Sequence, residues 1–145
     1  MKKILPLLVI LLVGIITNGC SQKLSSEISP GVQVSALQSF YVVHFSPEKR
    51  NLHKIIENQL VEMGYKATSG EEQAIPDDAN VIVTYIDNWQ WDITNYMIKI
   101  QITFKNPSGS ILATATSYRT SLVRKTPPEM IKETLLEIFN PQNPS

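Results

Sequence analysis

"YMIKIQITFK", residues 96–105, decides how this chain folds. Ile98, Ile100, Ile102 and Phe104 alternate with Lys99, Gln101, Thr103 and Lys105. Successive side chains of a strand point to opposite faces, so this stretch reads as a strand with one buried and one wet face. "NPSG" (106–109) follows, with a proline to fix φ and a glycine free to take positive φ, and the chain turns there. "SILATATSYRTSLV" (110–123), rich in small and β-branched residues, reads as the partner strand, and "VIVTYIDNWQWD" (81–92) as the strand before. Together they predict a three-strand antiparallel meander.

Further out, "FYVVHF" (40–45) is β-branched and aromatic and reads as another strand. Ser46 and Pro47 suit a helix start, and Leu52, Ile55, Ile56, Leu60 and Met63 recur at helical spacing. Gly64 ends that helix. "KATSGEEQAIPDDAN" (66–80) reads as a polar loop. After the meander, Thr126 and Glu129 form a capping box ahead of an apolar stripe at Ile131, Leu135 and Ile138. The order β-α-β-β-β-α predicts an α+β fold, a two-layer sandwich in which two helices cover one face of a mixed four-stranded sheet. The α/β domain is expected over 40–140, with 141–145 as a tail. Residues 20–39, which include the Ser-rich "SQKLSSEISPG", show no sustained apolar period and read as a flexible tether.

The N-terminus gives an address. Met1-Lys2-Lys3 precedes an apolar run from Ile4 to Ile16. As a helix that run reaches about 20 Å, short of the roughly 30 Å hydrocarbon core of a bilayer. A positive start and a short apolar run read as a secretory signal peptide over 1–19. Cys20, the one cysteine of the 145 residues, follows directly, so no internal disulfide forms. "TNGC" (17–20) resembles the lipobox of bacterial lipoproteins, although Thr17 stands where that motif usually has leucine. The resemblance implies cleavage before Cys20, a diacylglycerol thioether on its sulfur and acylation, for instance by palmitate, of its new amino group. Several acyl chains, at about 0.8 kcal/mol per buried CH₂, hold a soluble domain at a membrane. Ser21 in the position after the cysteine implies sorting to the cell outer membrane under the enteric rule.

Basic and acidic residues balance at 13 each, which excludes a strong electrostatic case for nucleic acid. No G-x-S-x-G, S-x-x-K, glycine-rich phosphate loop, HExxH or CxxC is present, so neither catalytic residues nor a metal centre are expected, and the covalent lipid on Cys20 stands in place of any cofactor. The unusual stretch is "YIDNWQWDITNY" (85–96). Alternation puts Tyr85, Trp89 and Trp91 on one face, and Tyr96 follows the turn. An open face of that kind is a binding platform for a protein or glycan; the competing reading is packing across the hairpin or beneath a helix. A second functional reading is an envelope hydrolase or metal-binding protein using His44 or His53 with Asp87 or Asp92. A third is a structural lipoprotein that stabilises the envelope by oligomerising.

The pattern "DANVIVTYIDNWQWD…YMIKIQITFKNPSGSILATATSYR…TPPEMIKETLLEIF" resembles small Gram-negative envelope lipoproteins, over roughly Phe40 to Phe139. The resemblance implies a two-layer α/β domain on a lipid anchor and no particular reaction. The leading expectation is an outer-membrane lipoprotein with a periplasmic, non-catalytic domain that binds or assembles with an envelope protein or glycan.

Overall fold

A computed structural model describes residues 22–142. The signal peptide (1–19), Cys20, Ser21 and the last three residues of the tail lie outside the described residues. The chain folds as α+β. Strand β1 (Gln22–Ile28) is followed by β2 (Ser39–Val43), α1 (Leu52–Glu62), β3 (Lys66–Gly70), β4 (Val81–Asp92), β5 (Thr94–Lys105), β6 (Ile111–Arg119) and α2 (Pro127–Phe139). The sheet runs β1-β6-β5-β4-β2-β3. β2 is parallel to both β3 and β4, and every other pair is antiparallel.

The sheet therefore has six strands, not the expected four, and both additions are edges. Residues 22–28 were expected within a tether; they pair with β6 from Gln22↔Arg119 to Ile28↔Ala113. Lys23, Ser25 and Glu27 face the open side, while Ser26 turns inward to Glu137 of α2 and Ile28 packs on the core. The inward positions are Leu24, Ser26 and Ile28, and with a serine meeting a carboxylate between the two aliphatic residues the alternation is too broken to be told from a spacer. Val34, in a 3-10 turn at Val34–Ala36, is buried too. The second addition, β3, lies within the expected loop and pairs with β2 from Ser39↔Lys66 to Val43↔Gly70. Its last residue is a glycine, and a Cβ there would lie 2.6 Å from the Tyr41 hydroxyl and displace it. That hydroxyl donates to the Glu71 carbonyl at 2.9 Å.

One core joins the layers. Leu52, Ile56 and Leu60 of α1, Met130, Ile131, Leu135 and Ile138 of α2, and Phe40, Val42, Val81, Val83, Ile100, Ile102 and Phe104 of the sheet form a single buried cluster. Both helices thus cover one face, and each such aliphatic side chain contributes about 1.5–3 kcal/mol by leaving water. Ala113 and Ala115 of β6 are small and buried, which lets α2 lie close to the sheet. The alternation read in β5 holds from Ile100 onward. It breaks at Ile98, because the register shifts at Asn88/Trp89 and Met97 takes the buried place.

The capping box of α2 is present. Thr126 accepts from the Glu129 N–H at 3.4 Å, and the Glu129 carboxylate accepts from the Thr126 N–H at 2.8 Å. The start of α1 differs from expectation. "SPEK" forms a turn, with the Glu48 N–H donating to the Phe45 carbonyl at 2.8 Å, and the helix begins at Leu52 behind Asn51 at φ +57°. The capping oxygen comes from Glu48, not Ser46: its carboxylate accepts from the Leu52 N–H at 3.0 Å and from the Arg50 N–H. A carboxylate there satisfies orphan donors and favours the positive end of the helix dipole.

Candidate functional site

The residues singled out in the sequence separate into two places, at opposite ends of the β4–β5 hairpin. At the root, Tyr85 is buried. Its hydroxyl donates to a Glu48 oxygen at 3.2 Å and accepts from the Phe45 N–H at 3.3 Å. Burial first, and then the nearby Glu48 charge, push its pKa upward, so the phenol stays protonated. Tyr85 is core and no part of an aromatic surface.

His44 and His53 come together beside it, their ring centres 4.3 Å apart. His44 Nδ1 lies 2.8 Å from a Glu71 oxygen, and its Nε2 lies 3.1 Å from the Glu48 carbonyl. The Glu71 contact and then the Glu48 carbonyl raise the pKa of His44. His53 is buried, and its Nδ1 has no hydrogen-bond partner. Burial first and His44 second lower the His53 pKa. Among the described residues, His44, Glu48 and His53 converge, with one ligand-capable atom from each lying within 4.8 Å of the others. The carboxylates beside the histidines are thus Glu48 and Glu71. Asp87 instead accepts from Trp89 Nε1 at 2.6 Å, and Asp92 pairs with Arg124 at 2.9 Å. His44, Phe45, Glu71 and Tyr85 also line an open cleft of about 440 Å³.

At the tip, the expected platform is reduced. Trp89 packs on the core edge, with the Arg50 guanidinium 4.0 Å over its ring. Trp91 is 74% exposed. Ile93 turns the hairpin at φ +63° and is 86% exposed. Left-handed backbone suits glycine or asparagine; for a β-branched residue it is strained. Arg124 braces the turn: its guanidinium donates to the Asp92 carboxylate at 2.9 Å, to Thr94 Oγ1 at 3.2 Å and to the Asp92 carbonyl at 3.3 Å, and lies 4.1 Å over the Tyr96 ring. Tyr96 donates to Gln90 at 2.9 Å. Leu122, two residues before Arg124, is 89% exposed.

Of the four residues expected to form a binding surface, Trp91 and Tyr96 lie near the tip, and Ile93, Leu122 and the clamp by Arg124 were not among those expected. A β-branched residue at the one turning position of "WDIT" was the available signal. Glu48 and Glu71 carried none, because their partners lie on other elements.

No protein-family model matches the chain, and comparison with curated proteins finds no match. Among solved structures, it is similar to the PelC dodecamer of Paraburkholderia phytofirmans in two crystal forms. A point variant of that protein superposes with a TM-score of 0.58 at 15% identity, covering 79% of this chain and 94% of PelC. The second form gives 0.56 at 14% identity, covering 82% and 97%. The likeness is one of fold.

Proposed function

We propose that this chain is an outer-membrane lipoprotein, moored through Cys20 and facing the periplasm, whose domain is a non-catalytic assembly module docking an envelope protein through the hairpin tip. The observation that carries the reading is Ile93. A turn serving only the fold has no use for a strained, β-branched, almost fully exposed side chain. Beside it stands exposed Trp91, and Arg124 holds the turn in one shape. Rigid apolar contact area presented in this way costs little entropy on binding. Further copies of the chain are the favoured partner, since both PelC structures of like fold are dodecamers.

The anchor reading rests on the signal and lipobox pattern. Among the described residues no helix is long and apolar enough to cross a membrane. Because β1 begins at Gln22, two residues after Cys20, lipidation there holds the sheet edge within about 7 Å of the attachment point, at roughly 3.3–3.6 Å per extended residue.

Labelled palmitate is expected to enter the product, and Cys20→Ala to release it from sedimenting membranes. Light scattering of the full chain in detergent is expected to show an assembly larger than a monomer, which Trp91→Ala or Ile93→Gly dissociates without unfolding it. A monomer that crosslinks in cells to no other protein overturns the assembly reading; crosslinking to glycan alone replaces its partner.

A further inference from the structure

We propose that His44, Glu48 and His53 form a binding site for a divalent transition metal of the zinc type. Three independent features at the root of the hairpin carry this.

The first is the donor set. Two imidazoles and one carboxylate converge, with ligand-capable atoms within 4.8 Å of one another. Around a tetrahedral zinc ion at about 2.0–2.2 Å, ligand atoms stand roughly 3.3 Å apart, so closure takes movements of the order of 1 Å. Two nitrogens and a carboxylate oxygen suit zinc, and leave a fourth position open. Glu48 retains capacity for it. A carboxylate offers about four lone-pair sites. Oε2 takes the Leu52 N–H and the Tyr85 hydroxyl, whereas Oε1 takes the Arg50 N–H. One lone pair remains on Oε1, on a side chain those three donors already fix in place.

The second is His53. It is 8% exposed, and its Nδ1 is shut off from solvent without a partner. Buried polar atoms of folded proteins are nearly always paired, and an exception asks for an explanation. A ring built for the core alone would be better served by an aliphatic residue at the edge of this stripe. Coordination by a ring nitrogen fixes the tautomer and orientation of the imidazole, giving it a role that the apolar packing does not.

The third is the support around the ligands. Glu71 holds His44 Nδ1 at 2.8 Å, the arrangement by which an outer carboxylate orients a metal-bound imidazole and raises its basicity; Nε2 is then the ligand nitrogen, and it would exchange its 3.1 Å contact with the Glu48 carbonyl for the ion. His44 and Glu71 also line the open cleft, which supplies an entry path and room for a water or a small anionic ligand on the ion. The three ligands come from the end of β2, the turn after it and the first turn of α1, so the ion would pin α1 to the sheet.

The test uses the full chain in detergent, stripped with chelator and titrated with Zn²⁺ by calorimetry, with Co²⁺ as the spectroscopic probe. The expected result is one saturable Zn²⁺ per chain, and a visible Co²⁺ band of four-coordinate intensity that Zn²⁺ displaces. His44→Ala, a partly exposed position, is expected to abolish both signals while circular dichroism shows an intact fold. Glu71→Gln, outside the ligand set, is expected to weaken Zn²⁺ by about 10–100-fold, which keeps the test sound if His44→Ala loses structure. Failure of the wild-type chain to bind Zn²⁺ saturably overturns the proposal. So does Zn²⁺ affinity unchanged by Glu71→Gln together with either retained binding in His44→Ala or loss of its fold.

Discussion

The two ends of the β4–β5 hairpin carry aromatic side chains from the same strand, and use them in opposite ways. Tyr85 at the root is buried, and both its hydrogen bonds hold the loop that leads into α1. Trp91 at the tip stands in solvent, and order there comes from a cation, Arg124, clamping the backbone beside it. One alternating strand is thus core over its first half and exposed to solvent over its second. The register shift at Asn88/Trp89 marks the change.

The comparison breaks most sharply at the root. Tyr85→Ala is expected to cost about 3–5 kcal/mol, the range for truncating a buried aromatic, read as a fall in the denaturation midpoint. Tyr85→Phe keeps the ring but leaves the Phe45 N–H unpaired and removes a donor from Glu48; about 1–3 kcal/mol is expected.

Acid sharpens the comparison from the other side. Glu133 of α2 binds Arg119, Ser117 and Lys125, and so steadies the loop that carries Arg124. Burial by itself raises its pKa, but the hydrogen bonds from Arg119, Lys125 and Ser117 outweigh it, and the net shift is downward. A carboxylate depressed in the folded state contributes stability that is present above its unfolded pKa, near 4.3, and is lost as pH falls through the folded value. Stability should therefore decline with acid below about pH 4–5, and Glu133→Gln should flatten that part of the curve; an unchanged slope removes Glu133 as its source.

Smaller effects belong to the tip. Arg124→Ala is expected to cost at most about 1 kcal/mol, as for other partly exposed ion pairs, while amide exchange at Asp92–Thr94 quickens. Ile93→Gly relieves left-handed strain of about 1–2 kcal/mol and gives part of it back as chain entropy, so stability should rise by up to about 1 kcal/mol. Trp91→Ala should alter stability by no more than about 0.5 kcal/mol. If Trp91→Ala unfolds the domain instead, the tip is core and the proposed docking surface is lost.

Periodicity and capping chemistry by themselves determined the central elements. Ile100, Ile102 and Phe104 announce the middle strand, Leu52, Ile56 and Leu60 the first helix, and Thr126 with Glu129 the start of the second, because each signal is written within one element and depends only on local geometry. Tertiary structure alone decided the rest. β1 and β3 are strands because β6 and β2 offer them open edges, and polar residues such as Ser26 are allowed inward where a partner such as Glu137 waits. His44, Glu48, His53 and Glu71 meet because the turn after β2, the first turn of α1 and the loop after β3 converge. Contacts between groups far apart in the chain follow from how layers dock, and a single strand or helix carries no record of its neighbour.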